Sequence, residues 1–434
     1  MVQDSYIALF TENEALFQQN LPAWRCQLRH QAVTCLQEPT KLTFADAYAL
    51  DYGLNPARLP FKGDPFSLFM CDIPGITTYN YLVFNDSFYA QPGLPTLPEG
   101  VIICSLAEAF QQHASLLQPY LSSCQVANPD VAFNTLLAQD GLFLYVPDGV
   151  QLERPIQLVN MMYGKVDMMA VSHNIAIIGQ NAKAQVLVCD HAYGSDVNYL
   201  SNRLTQVFVG KNAIYEHYKV ESSSEKTTNV STLQITQQEG SQVLTNLITL
   251  ANGKTHNRVD VNLNGKGAHL SINGLGLGHN TERIENHTFI NHNVAGATSN
   301  ELFKYVLDDQ AKGDFYGLIK VLPDAQQTQA YQTNRNLCLS KTAQMFTRPQ
   351  LEIYADDVKC NHGSTVGQLD ENALFYMRAR GIDPDEARML LMFAFVHDVL
   401  DNVRIEPLKD RLQLLIERRL RGDKSHCSGC KICR

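Results

Sequence analysis

The chain has 434 residues, 45% hydrophobic and 18% charged, with a formal net charge of −9 at pH 7. It can bury a large core, and at about 150 residues per domain it suggests roughly three domains. The acidic balance excludes a surface that grips nucleic acid or anionic lipid throughout, and no apolar run approaches the ~20 residues of a membrane span, so a cytoplasmic, soluble protein is expected.

The N-terminus, "MVQDSYIALFTENEALF", lacks the basic start and apolar run of a secretory leader. Residues 1–138 read as a helix-rich region. "DSYIALFTENEALFQQN" and "SLAEAFQQHASLLQPYL" space apolar residues three and four apart, and "QPGLPTLPEG" between them reads as loop. Eleven cysteines in such a chain are expected to be reduced. Cys26, Cys35, Cys71, Cys104, Cys124 and Cys189 are scattered singly, as small buried hydrophobes are.

From about Gly141 short β-favouring runs alternate with turn residues, as in "IAIIGQNAKAQVLVCD" and "VDVNLNGKGAHLSINGLGLG". The turn glycines Gly179, Gly210, Gly240 and Gly265 recur every 31, 30 and 25 residues. A period of that size marks a solenoid whose coils bury their faces on one another. Strands without intervening helices exclude a doubly wound α/β fold, and Asn-Gly hairpins typical of a sandwich are largely missing. The expected fold is mainly β, a parallel β-helix over residues 139–368, flanked by helical regions.

Residues 369–434 read as a C-terminal helical domain with a Cys-rich tail. "DENALFYMRARG" predicts a helix ended by Gly381. The next helix begins with Asp383 as N-cap and Pro384 at its first position. "PLKDRLQLLIERRLRG" then sets Leu408, Leu412, Leu415, Ile416 and Leu420 on one stripe. So small a domain is expected to pack on the β-helix or on a partner.

In "DDVKCNHG", Cys360 and His362 lie two apart and share a face on a strand, where a thiol and an imidazole can share a metal or the imidazole can promote the thiolate. Two ligands do not close a structural metal site, and no third residue completes a cysteine-protease arrangement. Ser364 or Thr365 and Asp370 or Glu371 suit the cap of the following helix. Asp356 and Asp357, adjacent on an extended segment, point apart and make a poor acid dyad. They carry the rival reading, a β-helix carbohydrate-active enzyme. His279, His287 and His292 lie among Asn-rich turns. Cys427, Cys430 and Cys433 with His426 place four soft donors within eight residues, enough to suggest a metal-binding tail. No GxxxxGK[ST], GxSxG or HExxH pattern occurs in its required setting, so no catalytic engine is visible.

"RPQLEIYADDVKCNHGSTVGQLDENALFYMRARGI", residues 348–382, closely resembles the C-terminal pattern of the SufB/SufD family of iron–sulfur cluster assembly scaffolds. "NTLLAQDGLFLYVPDGVQLERPIQLV", "ELFKYVLDDQAKGDFYGLIKV" and "QAYQTNRNLCLS" extend the likeness over about residues 130–405. The resemblance implies a right-handed parallel β-helix and a non-catalytic scaffold that pairs with a SufB-type subunit and binds a SufC-type ATPase. That ATPase's nucleotide-driven dimerisation would move the two scaffolds. It also implies a transient iron–sulfur cluster at the interface with SufB, no tightly bound cofactor, and possible homodimers in isolation. By the same resemblance His362, with Cys360 beside it, faces the partner at the cluster-assembly interface. Leu390, Phe393, Leu408 and Leu412 on the C-terminal helices are the expected ATPase contacts. Gly363 follows His362 where the B-type subunit has Glu, and Asn334 stands at the B-type sulfur-accepting cysteine, with Cys338 four residues late, so the chain resembles the D type. Near the N-terminus "EPTKLTFADAYALDYG" departs from the family pattern, and nothing is carried over there.

Overall fold

A computed structural model of the chain describes residues 2–38, 42, 44–48, 52–57, 61–68, 73–121, 128–193 and 196–422. The N-terminal third carries α1 (Val2–Glu12), α2 (Glu14–Phe17), α3 (Ala23–Gln37), α4 (Pro65–Leu68), α5 (Leu106–Gln112), α6 (Ala114–Leu121) and α7 (Pro129–Leu137), with strands β1 (Tyr79–Phe84), β2 (Ser87–Ala90) and β3 (Ile102–Ser105). The strands that follow are β4 (Leu142–Val146), β5 (Ile156–Tyr163), β6 (Met168–Ile178), β7 (Lys183–Tyr193), β8 (Tyr199–Val209), β9 (Ile214–Ser222), β10 (Thr227–Gln237), β11 (Gln242–Ala251), β12 (Lys254–Leu263), β13 (His269–Gly278), β14 (Arg283–His292), β15 (Thr298–Leu307), β16 (Lys312–Val321), β17 (Gln329–Cys338), β18 (Gln344–Ile353) and β19 (Lys359–Gly367). Helices α8 (Glu371–Ala379), α9 (Pro384–Leu400) and α10 (Glu406–Leu420) close the described chain.

Odd-numbered strands from β19 down to β5, then β1 with β2 at the end, stack into one sheet, and even-numbered strands from β18 down to β4, with β3 at the end, into the other. Pairing is parallel except for β1 with β2 and β3 with β4. Each coil contributes one strand to each sheet, so the expected parallel β-solenoid is present, about eight turns long. The offset between stacked coils runs from 26 residues, Thr228 onto Lys254, to 32, Lys312 onto Gln344. That spread is why the glycine spacing was only nearly constant.

The glycines do two different jobs at the corners. Gly240 is in the left-handed region at φ 65°, whereas in the two preceding coils Asn181 and Asn212 fill that role at φ 55°. Gly265 is needed for close approach, since a Cβ there would lie 1.9 Å from the Glu239 backbone nitrogen. Asparagine tolerates the left-handed corner, so the turn survives where glycine is absent.

Strands with both faces buried read as near-continuous apolar runs, and the structure shows what covers each face. Between the sheets lies a core that includes Val209, Val261, Leu270, Ile290, Phe303 and Ile319. The N-terminal helices cover the outer face of the even sheet, packing Phe10, Phe133 and Leu136 on Met169, Leu200 and Val230. Within that cover Arg25 and Arg29 of α3, both buried, tie α3 to α7 by donating to the carbonyls of Thr135, Leu136 and Ala138. Helices α9 and α10 cover the odd sheet, laying Met392, Val396, Leu408, Leu412 and Ile416 on Leu244, Ile248, Leu275 and Val306. The ion pairs Lys304–Asp398, at 2.6 Å, and Arg419–Glu282, at 2.7 Å, fix that cover.

Strands β1 to β3 lie inside the segment read as helix-rich. They are only four to six residues long, with β1 and β2 joined by a two-residue turn and β3 set apart from both, so they show no repeat in sequence. Inside the solenoid, Gly274 and Gly276 make room for the rings of Phe303 and Tyr305 in the next coil. A Cβ on Gly274 would lie 2.1 Å from the Phe303 ring. Gly274→Ala is therefore expected to lower stability by about 1–3 kcal/mol, as overpacking does. Chemical denaturation of the single variant and of Gly274→Ala with Phe303→Leu checks this: the pair should be less than additive, and additivity would show that the two sites do not compete for space.

Candidate functional site

The solenoid ends on β18 and β19, each the last strand of its sheet, so their outer edges have no strand partner among the described residues. Along β17 the even-numbered residues face the interior: Ala330, Gln332, Asn334 and Asn336 are all buried. In register above them on β19 stand Cys360 over Ala330, His362 over Gln332 and Ser364 over Asn334. The interior face therefore continues into the last coil but has no further coil to cover it. Cys360 and His362 share that face, as the two-residue spacing predicts.

The two side chains differ in setting. Cys360 is half-buried and packs on the core, and burial pushes its thiol up from the ordinary value. His362 is exposed, and the two make no hydrogen bond with each other. The imidazole thus does not promote the thiolate in the free chain. Ser364 Oγ meets Thr347 Oγ1 of β18 at 2.7 Å, joining the two sheets across the mouth. Around this mouth Tyr331, Phe346, Ile353, Tyr354 and Val366 are exposed.

Behind the mouth the lining becomes polar and buried. Gln332 Nε2 donates to Glu301 Oε2 at 2.6 Å, and Asn334 and Asn336 bond each other. Burial pushes the Glu301 carboxyl up to about 7, with the Gln332 hydrogen bond opposing. Deeper in the lumen Asp190, Arg203, Lys219 and Glu221 form a fully buried charged group, with Arg203 and Lys219 each 3.6 Å from Asp190. Sequence reading missed Glu301, Gln332 and this group. Their signal was polar residues on every second position of predicted strands, but only coil register shows which of them meet.

The remaining sequence candidates fall elsewhere. Asp356 and Asp357 lie in the exposed turn between β18 and β19 rather than on a strand, and Asp357 serves the corner by accepting from the Gln327 backbone N–H. His279, His287 and His292 do not converge: His292 is buried against Ser299, while His287 meets the rings of Phe44, tilted, and Tyr316, edge to face, on the outside. Among the described residues no group of three or more His, Cys, Asp or Glu side chains has a metal-binding arrangement. Asp370 caps α8 and Asp383 caps α9, whereas Ser364 and Thr365 are strand residues. Cys26, Cys35, Cys104, Cys189, Cys338 and Cys360 are free thiols, while Cys71, Cys124 and the tail trio Cys427, Cys430 and Cys433 lie outside the described residues.

Of the four expected ATPase contacts, Leu408 and Leu412 are 2% and 1% exposed and are occupied by the odd sheet, which corrects the expectation that they face a partner. The apolar stripe that suggested a docking face is the stripe that seats α10 on its own solenoid. Phe393 is half-buried, and Leu390 is exposed on α9. Exposed Phe375 and Tyr376 on α8 and Leu414 on α10 add apolar surface to the same end of the chain, and were not singled out in sequence. No helix among the described residues is long and apolar enough to cross a membrane.

A family model described as the SufBD core domain of the SUF system of iron–sulfur cluster assembly matches residues 161–395, and one described as the SufBD N-terminal region matches residues 1–158. The chain is 30% identical to the iron–sulfur cluster assembly protein SufD of Escherichia coli over 66% of its own length and 68% of that protein. It is 29% identical to SufD of Bacillus subtilis over 74% and 75% of the two chains. The chloroplastic protein ABCI7 of Arabidopsis thaliana is 26% identical over 77% of this chain and 72% of its own.

The raised Glu301 carboxyl fixes the sign of one pH effect. In the unfolded chain the group ionises near pH 4.5 and in the folded chain near 7, so its stabilising contribution is complete below about 4.5 and is lost as pH rises through 7. Glu301→Gln should flatten the stability profile between pH 4.5 and 7, by up to about 3 kcal/mol. Denaturant melts of both proteins across that window measure it, and parallel profiles would refute it.

Proposed function

The chain belongs to the SufBD family of iron–sulfur cluster assembly proteins, and from that premise we propose that it is the D-type, non-catalytic scaffold subunit of the assembly complex. In this reading it pairs with a SufB-type subunit through its terminal coil and carries a SufC-type ATPase on its C-terminal helices. The bare end of the solenoid carries the reading. Two adjacent edge strands of ten and nine residues, β18 and β19, offer unpaired backbone groups ringed by Tyr331, Phe346, Ile353, Tyr354 and Val366. Exposed edges of this kind are aggregation-prone unless a partner strand completes them. A second solenoid set end to end would pair those edges and close the interior. In isolation a second copy of this chain can do the same.

Such pairing buries His362 and Cys360 in a shared cavity where a nascent cluster, as cargo, can be held transiently. His362 supplies a neutral nitrogen ligand or positions one. Cys360, its thiol pushed up by burial, becomes a ligand only when iron or a partner's positive charge stabilises the thiolate. With Asn334 at the position of the sulfur-accepting cysteine of the B type, buried and bonded to Asn336, this chain does not itself accept persulfide. For the ATPase, the available apolar surface is Leu390, Phe375, Tyr376 and Leu414, with Phe393 at its margin. Leu408 and Leu412 act from beneath by seating the helices.

Three substitutions test the separate parts. His362→Ala should leave the melting temperature unchanged and reduce cluster formation in the co-purified complex at least tenfold; full cluster yield would sink the ligand role. Tyr354→Asp together with Phe346→Asp should weaken SufB-type pairing at least tenfold in titration experiments, while undiminished pairing would place that interface elsewhere. Leu390→Glu should release the ATPase on a pull-down yet keep the SufB-type subunit, and retention of both would remove Leu390 from the docking face.

A further inference from the structure

One column of the interior leads directly to His362. Parallel pairing stacks Ile272, Glu301, Gln332 and His362 in successive coils, all on the inward face. Ile272 and Gln332 are buried, as is Glu301. The column is therefore apolar at its inner end, polar in its middle and open at His362.

Gln332 is held in one orientation from two sides. Its Nε2 donates to Glu301 Oε2 at 2.6 Å, which turns the amide nitrogen to the coil behind. Across the lumen its side chain passes over Gly317 of β16, where a Cβ would lie 2.1 Å from Nε2. The oxygen of the same amide is buried and has no hydrogen-bond partner. Its neighbours on β17 are different: Asn334 Oδ1 accepts from Asn336 at 2.6 Å, Asn336 Oδ1 accepts from Asn334 at 3.2 Å, and Ala330 has nothing to offer. Other orphaned acceptors occur in the lumen, among them Asn160 Oδ1 and Asn229 Oδ1, but this one lies in the coil directly behind His362. The strand ahead lies about 4.8 Å away, within reach of a side chain on the same face.

We propose that Gln332, fixed by Glu301, is a positioning residue for His362: once a partner covers the terminal coil, its free amide oxygen accepts a hydrogen bond from one imidazole nitrogen and leaves the other facing the cluster being assembled. This rests on the reading of His362 given under Proposed function. The chemistry is that of metal-bound histidines generally, in which the second nitrogen donates to a protein acceptor that sets the ring's tautomer and direction. Cys360 stands over Ala330, which has no side-chain acceptor, and Ser364 over Asn334, whose Oδ1 already accepts from Asn336 and lies 3.5 Å from Ser364 Oγ, so the unfilled acceptor is the one beneath His362.

The test uses the full chain, labelled with ¹³C and ¹⁵N in histidine, co-purified with unlabelled SufB-type and SufC-type subunits. A His362→Gln sample identifies the His362 signals among the 13 histidines. Imidazole nitrogen shifts then report the tautomer. In the complex one tautomer should exceed the other by about tenfold, and Gln332→Met should cut that ratio by about threefold to tenfold, the worth of one hydrogen bond. Gln332→Asn, which keeps the polar lining but shortens the reach, should do likewise and serves if the Met variant fails to fold. An unchanged ratio in the folded Met or Asn variant overturns the assignment. If that ratio is unchanged while His362→Ala still abolishes cluster formation, the positioning role falls and the ligand role stands. If the ratio responds but His362→Ala assembles clusters fully, the hydrogen bond is real and the ligand reading fails. If no complex forms, both fall together.

Discussion

Every coil of this protein is completed by the next one. The parallel backbone pairing that runs from β4 and β5 to β18 and β19 satisfies each strand's polar groups only when a neighbouring coil lies in register. That single constraint organises the rest. It places like positions of successive coils directly above one another, so a choice made in one coil limits the choices in its neighbours. Gly274 and Gly276 are small because Phe303 and Tyr305 are large, and Gly317 is small because Gln332 crosses to it. It also means that the chain must deal with two ends.

The ends are treated differently. At the N-terminal end the antiparallel strands β2 and β3 terminate the two sheets, and helices tied to one another by Arg25 and Arg29 cover the even sheet. At the C-terminal end the helices turn back along the odd sheet instead of covering the last coil. The final edge is left bare, with exposed aromatics around it and an interior polar column opening onto it. The bare end is also the end that holds His362 and Cys360.

The lumen is not uniformly apolar. Asp190, Arg203, Lys219 and Glu221 are buried together, and Glu301 is buried with Gln332. Burying charge in this way is costly unless each group is paired or hydrogen-bonded. Asp190 meets this by gathering Lys219, Arg203, Asn160 and Asn229, which together hold its carboxyl below the usual range despite desolvation. Glu301 has no cation and shifts toward the neutral form. Two buried carboxyls thus behave oppositely four coils apart, for reasons that no local stretch contains.

Much of this was legible from the residues in order. The repeat of turn glycines announced the solenoid, because stacked corners demand close backbone approach. Asp383 and Pro384 announced α9, and the two-residue spacing put Cys360 and His362 on one face. These are local consequences of periodicity, capping and pleat. What needed the tertiary structure was whatever depends on which coil meets which. The stripe Leu408, Leu412 and Ile416 was visible as apolar, but only packing shows that the odd sheet takes it up. Strands β1 and β3 were hidden because such short strands borrow their stability from the distant β5 and β4, and β2 is a four-residue strand that pairs with β1 alone. Glu301, Gln332 and His362 lie about thirty residues apart in sequence and become neighbours through register alone. Sequence set the period, and only stacking decided what that period brings together.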